Sequence, residues 1–262
     1  MWKDKTVWIT GASSGIGRAL ALMLHHRGAF VILSGSRPEA LEALRTGLPH
    51  PERAFVLAFD MAAPCDFPAF AQRALAFTGR VDVLFNNAGL SQRANASQTT
   101  LASDRLLMEV NYFANIAIAK ALLPHFRVRG AGHIVVTSSL AGKTGFFLRS
   151  GYSASKHALH GFYESLRLEE EPNGLRITMV VPNKVRTDIS LRALDQNGLP
   201  TGTQDERLQH GITPEDCAAR IIRAVEKGKR ELLIGSDVRL SVLLKALFPG
   251  WFHRILRKQQ AR

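Results

Sequence analysis

Short runs of apolar residues alternate along the chain with longer segments in which apolar positions recur at helical spacing. Such alternation is typical of a parallel sheet whose strands are joined by right-handed helical crossovers. The pattern therefore predicts an α/β fold over residues 1–262, with one doubly wound, mostly parallel sheet of seven strands and helices on both faces. The predicted strands are Val7–Thr10, Phe30–Ser34, Ala54–Phe59, Val81–Asn86, His133–Ser138, Arg176–Val181 and Glu231–Gly235.

Two predicted helices and one polar segment complete the pattern. Apolar residues keep helical spacing through Leu101–Phe126, and a second helix begins near Tyr152 and is stopped by Pro-Asn-Gly at 172–174. The stretch 189–211 differs because it is polar, has few apolar anchors and contains glycines. That composition predicts a mobile lid over a substrate site, with a merely variable loop as the alternative.

Composition and net charge limit the kinds of ligand and macromolecule that we expect the protein to bind. The chain is 46% hydrophobic and carries a formal net charge of +12, which suits an anionic cofactor, an acidic lipid surface or nucleic acid. Because no aromatic platform or nucleic-acid recognition motif is evident, we expect no nucleic-acid partner. Cys65 and Cys217 are far apart, and His157 and His160 have no acidic or cysteine partner beside them, so we predict neither a disulfide nor a metal site.

The two ends of the chain suggest where the protein resides. The amino terminus enters the first strand at once, and no apolar run reaches the roughly 18 to 20 residues that span a bilayer, so we expect a cytoplasmic protein. Residues 238–262 form a basic amphipathic segment in which Leu, Phe and Trp are mixed with Lys and Arg. We expect this segment to touch an anionic membrane surface or an apolar substrate's entrance, with a last core helix and a solvated tail as the equal alternative.

A glycine-rich turn follows the first predicted strand. The run KTVWIT leads into GASSGIG and then into a helical pattern. Gly11, Gly15 and Gly17 allow a pyrophosphate to approach the backbone at a helix amino terminus, where free N–H groups and the helix dipole favour negative charge. The spacing differs from the common GxGxxG fingerprint, and a purely structural turn is the alternative. Its place at the start of alternating strands and helices favours nucleotide binding.

A second candidate site combines a phenol, an amine and a hydroxyl. Tyr152 and Lys156 stand four residues apart at the start of a helical pattern, and Ser139 ends an apolar run thirteen residues before Tyr152. Four-residue spacing places both side chains on one helix face, where an ammonium favours the ionised phenol and lowers its pKa. A surface tyrosine and a solvated lysine are the alternative, since YxxxK alone is a common pattern.

Five motifs in this order resemble one known family. They are TGASSGIG at 10–17, NNAG at 86–89, Asn111, the serine pair at 138–139, and YSASK at 152–156. Together they resemble the short-chain dehydrogenase/reductase family over about Lys5 to Asp188. Within that family, the stretch 142–169 is similar to the branch that contains the membrane-linked steroid and retinoid reductases.

The resemblance implies a Rossmann-type enzyme that transfers hydride between a nicotinamide and a carbonyl or secondary alcohol. Tyr152 matches the general acid/base, Lys156 the residue that lowers its pKa and holds the nicotinamide ribose, and Ser139 the hydroxyl that orients the substrate oxygen. Asn111 matches an asparagine that binds a water in the proton path, with an inter-helix asparagine as the alternative. The cofactor-binding residues expected from the resemblance are Gly11, Ser13, Ser14, Gly15, Ile16, Gly17, Ser36, Arg37, Asp60, Asn87, Ala88, Gly89, Tyr152, Lys156, Pro182, Val185 and Thr187.

The segment after the second strand bears on the choice of cofactor. Gly35 stands where a carboxylate would accept the ribose 2′-hydroxyl, whereas Ser36 and Arg37 suit a 2′-phosphate. We therefore expect NADP(H), with NAD(H) as the alternative. Relatives that use NADP often carry the arginine at the position of Ser36, and a solvated loop cation is the alternative for Arg37.

One position departs from the family pattern. Relatives usually have Pro-Gly after the sixth strand, while this chain has Pro182-Asn183. Asparagine tolerates a positive φ, so we expect the turn to survive and the carboxamide contacts of Val185 and Thr187 to persist.

The remaining expectations concern substrate, assembly and competing functions. The branch similarity implies an apolar substrate of the steroid, retinoid or lipid type. Related enzymes form dimers or tetramers through the helices that carry Asn111 and Tyr152, so a homodimer or homotetramer is expected. A non-catalytic redox sensor that binds the dinucleotide is the alternative function, and an epimerase or dehydratase also uses a Tyr/Lys pair.

Overall fold

The computed structural model describes residues 1–258 and contains one sheet of seven strands in the order β3-β2-β1-β4-β5-β6-β7. Every neighbouring pair is parallel, which confirms the predicted doubly wound α/β fold. Residues 259–262 of the predicted basic carboxyl-terminal segment lie outside the described residues. The strands are β1 Thr6–Thr10, β2 Phe30–Ser34, β3 Ala54–Val56, β4 Val83–Asn86, β5 Gly132–Thr137, β6 Leu175–Pro182 and β7 Glu231–Ile234.

Alternating side chains of the strands build two cores, one on each face of the sheet. The helices are α1 Gly15–His26, α2 Pro38–Thr46, α3 Phe67–Thr78, α4 Leu101–Met108, α5 Ala114–Arg129, α6 Ser150–Glu170, α7 Glu206–Gln209, α8 Pro214–Glu226, α9 Ser236–Leu247 and α10 Pro249–Lys258. In β1, Val7 and Ile9 join the core covered by α1, α2 and α8, while Trp8 points to the opposite face and joins the core covered by α3, α5 and α6.

The third strand is shorter than its sequence pattern predicts. The ladder with β2 ends at Val56, although the backbone continues beside β2, with the N–H groups of Leu57 and Phe59 donating to Leu33 and Gly35. Leu57 and Phe59 are buried in the core, so the apolar run reflects burial beyond the end of regular pairing.

The long apolar helix corrects one expectation. Helices α4 and α5 are joined by a π-helical turn at Glu109–Phe113, and the combined helix 101–129 is long and apolar enough to cross a membrane by length and composition. The expectation that no segment of the chain reaches that length was wrong, because Glu109, Asn111 and Lys120 only interrupt the apolar run. In this fold, 56% of the most apolar window is buried, as in a core helix packed on a sheet.

The strand order fixes where a ligand can bind. Strand β1 pairs with β2 on one side and with β4 on the other, so the chain reverses its direction of travel across the sheet between β1 and β4. Ligands of open α/β sheets bind outside the carboxyl ends of the strands at such a reversal. The glycine turn follows β1 and the NNAG motif continues from β4, so both flank this point.

A buried histidine in the sheet predicts loss of stability in acid. His133 of β5 faces Thr178 of β6, with its Nε2 atom 2.9 Å from Thr178 Oγ1. Burial, aided by Arg176, lowers the pKa of His133 from 6.5 to about 4, so the unfolded imidazole takes up a proton first as the pH falls. This stability is fully present above pH 6.5 and is lost toward pH 4, by up to roughly 3 kcal/mol.

Urea unfolding at a series of pH values measures this loss. His133→Gln keeps a polar side chain without a titrating imidazole, so the free energy of unfolding should depend less on pH in the variant. An identical pH slope in the wild type and the variant would contradict the assignment.

Candidate active site

A cavity of about 450 Å³ opens at the carboxyl ends of β1, β4, β5 and β6. Every residue predicted for the site lines it except Gly17 and Asn111. Residues far apart in sequence, from Gly11 to Thr187, therefore meet in one crevice, as the predicted sheet requires.

The glycine turn is shaped by backbone conformation and by close packing. Gly11 and Gly15 adopt φ values of +66° and +53°, in the left-handed region that favours glycine. Gly17 is required for a steric reason instead. A Cβ atom there would lie 2.2 Å from the carbonyl oxygen of Gly11 and 2.7 Å from Asn87 Nδ2. Gly17 therefore allows close packing against Gly11 and Asn87, although it does not line the cavity.

The NNAG motif ties the central strands together. The hydroxyl of Thr10, at the end of β1, accepts hydrogen bonds of 3.0 Å from the N–H groups of both Asn87 and Ala88. The Asn87 amide donates to the Thr10 carbonyl at 3.2 Å and accepts from the Thr137 hydroxyl of β5 at 3.3 Å. These contacts hold the carboxyl ends of three strands at a fixed separation.

Ser139, Tyr152 and Lys156 meet on the same wall of the cavity. Ser139 lies two residues after the end of β5, and its Oγ accepts a 3.1 Å hydrogen bond from the N–H of Ala141. Tyr152 and Lys156 lie in the first two turns of α6, with the ammonium nitrogen 5.8 Å from the centroid of the phenol ring. Lys156 Nζ also donates to the carbonyl of Thr137 at 2.9 Å.

Burial shifts the pKa values of Tyr152 and Lys156. It raises the pKa of the Tyr152 phenol, while a hydrogen bond from Ser139 and the charge of Arg149 oppose it. This differs from the expectation that Lys156 lowers the phenol pKa, because the ammonium lies over the ring face and is held by Thr137. Burial also lowers the pKa of Lys156 to about 8, so the amine stays mostly protonated at neutral pH.

Asn111 is completely buried behind the cavity in the π-helical turn. Its Oδ1 accepts from the N–H of Leu90 at 2.8 Å, and its Nδ2 donates to the carbonyl of Leu90 and the hydroxyl of Ser155 at 3.0 and 2.9 Å. A Cβ atom placed on Gly89 would lie 2.9 Å from Asn111 Oδ1 and 3.3 Å from Lys156 Nζ. Asn111 therefore joins the NNAG segment to α6 within reach of the lysine.

Comparison with known proteins identifies the family. A family model described as short chain dehydrogenase matches residues 5–197. The chain belongs to the short-chain dehydrogenase/reductase (SDR) family. It is therefore an oxidoreductase that acts on CH–OH donors.

Individual relatives agree with this assignment. The chain is 38% identical over 260 residues to Dehydrogenase/reductase SDR family member 7B of Mus musculus, covering 97% of this chain and 80% of the relative. A short-chain dehydrogenase structure from Streptomyces avermitilis has a TM-score of 0.81 at 31% identity, with 97% of each chain covered. One from Sphingobium yanoikuyae, in complex with NADPH, has a TM-score of 0.78 at 28% identity, covering 92% and 93%.

The paired serines of this SDR chain have different surroundings. The Ser138 hydroxyl lies 3.0 Å from His160 Nε2, whose pKa burial lowers to about 3, so the imidazole is neutral. Ser139 instead hydrogen-bonds to the phenol of Tyr152. Ser138 therefore contacts the neighbouring helix α6, whereas Ser139 contacts the phenol.

The turn after β6 does not place Asn183 in the positive-φ conformation that asparagine was expected to tolerate there. Among the described residues other than glycine, a positive φ occurs at Asp4 and Leu148, and Asn183 has none. The Asn183 amide donates instead to Asp237 Oδ2 at 2.7 Å, at the start of α9. Val185 and Thr187 both line the cavity, and their carboxamide contacts stay a prediction.

Three residues around the SDR site have no local sequence signal. Gln92 accepts a 3.2 Å hydrogen bond from the N–H of Tyr152 through its side chain, and Arg149 donates to Ser91 at 2.5 Å and to Asp205 at 3.0 Å. Arg192 donates to the Ser14 hydroxyl at 2.9 Å. All three act across long sequence separations, which a linear motif does not reveal.

The segment predicted as a lid, residues 189–211, is called the flap below. It is more firmly seated than its composition suggests. Ala193 and Leu194 are buried, and Leu194 exchanges backbone hydrogen bonds with Ser91 and Arg93, just beyond the NNAG motif. Ile189 and Leu208 line the cavity, so the flap forms one wall of the SDR site.

Proposed function

We propose that this SDR enzyme uses NADP(H) to interconvert an apolar ketone or aldehyde and its alcohol. The observation that carries the proposal is the convergence of Ser139, Tyr152 and Lys156 with the glycine turn on one cavity. Solved relatives in complex with NADPH and with NAD support a nicotinamide dinucleotide as the cofactor.

The site fits such a dinucleotide. Gly11, Gly15 and Ile16 line the cavity at the amino terminus of α1, where N–H groups and the helix dipole favour a pyrophosphate. The absence of a side chain at Gly89 leaves room beside Asn111 and Lys156, which a Cβ atom would crowd. Asp60, Asn87 and Ala88 line the same cavity, as expected for the adenine side and the cofactor's central part.

The chain's own residues then handle the proton. When bound, the nicotinamide supplies or accepts the hydride. Tyr152 donates a proton to the substrate oxygen as negative charge develops there, and the Ser139 hydroxyl holds that oxygen in place. A phenol whose pKa is raised by burial stays protonated and suited to this donation. Lys156 fixes the ribose, and Asn111 orders the proton path behind it.

The choice of NADP(H) depends on the turn after β2. Gly35 offers no carboxylate to a ribose 2′-hydroxyl, and both Ser36 and Arg37 line the cavity. Arg37 donates to the Ser13 hydroxyl at 3.0 Å, so its guanidinium is turned toward the glycine turn. A 2′-phosphate is the natural ligand for a cation at that position.

An apolar substrate agrees with the composition of the cavity wall. Five apolar side chains from the NNAG segment, α4, the π-helical turn and the flap line the cavity. They are Leu90, Leu106, Val110, Ile189 and Leu208. Steroid, retinoid and lipid-like carbonyls are therefore the substrate classes that we propose.

An NADPH-oxidation screen tests the function. Purified protein is mixed with NADPH and, in separate reactions, ketosteroids, retinal, ketoacyl lipids and small quinones, and loss of the reduced nicotinamide is followed by absorbance. We expect turnover with at least one apolar carbonyl. Oxidation that persists without substrate, or no turnover with any class despite measurable NADPH binding, argues against the proposed reaction.

We place the enzyme in the cytoplasm, as a homodimer or homotetramer. The exposed side chain of Phe113, in the π-helical turn that leads into α5, supports an interface through these helices. Light scattering during size-exclusion chromatography reports the mass of the particle.

Peripheral membrane contact is proposed through the carboxyl-terminal helices. Leu240, Leu243 and Leu247 form one face of α9, and with Phe248 and Trp251 they are all more than half exposed. The neighbouring α10 carries exposed cations at 254, 257 and 258. Apolar side chains flanked by cations suit a surface of anionic lipid.

Vesicle sedimentation tests the membrane contact. We expect the full chain to pellet with vesicles that contain phosphatidylserine and to remain in solution with pure phosphatidylcholine. The double variant Leu243→Glu/Leu247→Glu should lose most of this binding, because two carboxylates repel the anionic surface. Leu199→Glu, which alters an exposed leucine of the flap, is the matched control. Equal pelleting of all variants, or none for the full chain, would remove the membrane contact.

A further inference from the structure

Two arginines from distant parts of the chain meet at the glycine turn. Arg37 follows β2 and donates to the hydroxyl of Ser13 at 3.0 Å. Arg192 belongs to the flap and donates to the hydroxyl of the next residue, Ser14, at 2.9 Å. Both arginines and both serines line the active-site cavity.

The two guanidinium groups are close enough to affect each other. Burial lowers the pKa of Arg192, the charge of Arg37 lowers it further, and Asp188 opposes the shift. In the described part of the chain, their hydrogen-bond partners are neutral hydroxyls. The effect of Arg37 on Arg192 exceeds that of Asp188, so the two like charges repel each other, and an anion placed between them removes that repulsion.

Ser14 also leaves the start of α1 available to an anion. It is the residue before the first turn of the helix, where a serine hydroxyl commonly accepts from a backbone N–H. Here the hydroxyl is oriented toward Arg192 instead. The N–H groups of that turn and the two guanidiniums therefore surround one corner of the cavity with positive charge.

We propose that Arg192 is a second ligand of the cofactor's 2′-phosphate, supplied by the flap and paired with Arg37. The inference rests on the proposed use of NADP(H). The proximity to Arg37 selects the 2′-phosphate over the pyrophosphate, because Arg37 stands at the position that recognises the ribose 2′ substituent. A guanidinium fork binds phosphate oxygens in a bidentate manner that a lysine does not match.

The position of Arg192 in the flap links the identity of the cofactor, NADPH or NADH, to the order of the flap, which forms one wall of the site. Arg192 lies three residues after Ile189, which lines the cavity, and two before Leu194, which is held by backbone hydrogen bonds to Ser91 and Arg93. A phosphate bridging Arg37 and Arg192 ties the flap to the glycine turn. NADPH then orders the flap more strongly than NADH, which has no 2′-phosphate.

Binding measurements on full-length variants test the assignment. Dissociation constants for NADPH and NADH are measured by nicotinamide fluorescence for the wild type, Arg192→Gln, Arg37→Gln and the double variant. We expect Arg192→Gln to weaken NADPH binding by about 10- to 100-fold and NADH binding by less than about threefold. Arg192→Lys should recover only part of the loss, and the two single effects should be non-additive because both residues hold one phosphate.

The control is Arg186→Gln, an exposed arginine in the same segment after β6 that does not line the cavity. It should bind both cofactors as the wild type does, and thermal melts confirm that all variants are folded. Hydrogen exchange across 189–195 provides a readout independent of turnover, and NADPH should slow exchange there more than NADH.

Each adverse result has its own meaning. Unchanged NADPH affinity in Arg192→Gln overturns the inference. An equal loss for NADPH and NADH also overturns it, since it assigns Arg192 to the pyrophosphate. If the wild type binds neither dinucleotide, the proposed function itself fails.

Discussion

Tyr152→Phe is expected to lower kcat by about 10²- to 10⁴-fold, the range that a positioned general acid contributes. The substitution removes one oxygen atom and keeps the ring, which is buried on the cavity wall. NADPH binding should stay within about threefold of the wild type, because the ribose contact expected of Lys156 remains. Steady-state turnover and fluorescence titration of NADPH measure the two quantities separately.

A matched control separates this effect from a general loss of a hydroxyl. Tyr112→Phe removes the same atom from a half-buried tyrosine that neighbours Asn111 but does not line the cavity. Its kcat should remain near that of the wild type. Turnover retained by Tyr152→Phe would show that another group protonates the substrate.

Gly17→Ala should have the largest effect on stability, a loss of about 3 kcal/mol or more in the free energy of unfolding. The added methyl group would sit 2.2 Å from the Gly11 carbonyl oxygen and 2.7 Å from the Asn87 amide. Because the first contact is with backbone, the glycine turn must shift and cofactor binding should weaken as well. Thermal unfolding and NADPH titration report the two losses.

The control for this substitution is Gly161→Ala, on an open face of α6. A Cβ atom there meets no neighbour within 4 Å. Alanine favours a helix interior over glycine by about 1 kcal/mol, so this variant should melt slightly above the wild type. A Gly17→Ala variant as stable as Gly161→Ala would contradict the close packing of the turn.

Local patterns in the sequence were enough to predict the sheet and most of the residues that meet in one cavity. The glycine turn, NNAG and the Tyr/Lys pair each depend on residues within a few positions of each other, and the strand order brings them together. Arg192, Gln92 and Arg149 were missed because their partners, Ser14, Tyr152 and Asp205, lie more than fifty residues away.

Other differences arise from packing. The composition of the flap predicts a loosely held polar loop, yet Leu194 is buried and pairs through its backbone with Ser91 and Arg93. Backbone pairing of that kind leaves no hydrophobic periodicity in the sequence. The expectation for the phenol failed for an electrostatic reason. Spacing on a helix predicts that Lys156 approaches Tyr152, but it does not show that a carbonyl of β5 holds the ammonium over the ring or that burial dominates the phenol pKa.

Because the turn at Glu109–Phe113 is π-helical, the number of residues in this turn is critical for the fold. A π-helical turn accommodates an additional residue between two stretches of ordinary helix. Removing one residue would let the winding become regular, and the side chains of the turn itself, Asn111 among them, would have to change position. Asn111 would then leave Leu90 and Ser155, so a single-codon deletion here would be more harmful than most substitutions in the same helix.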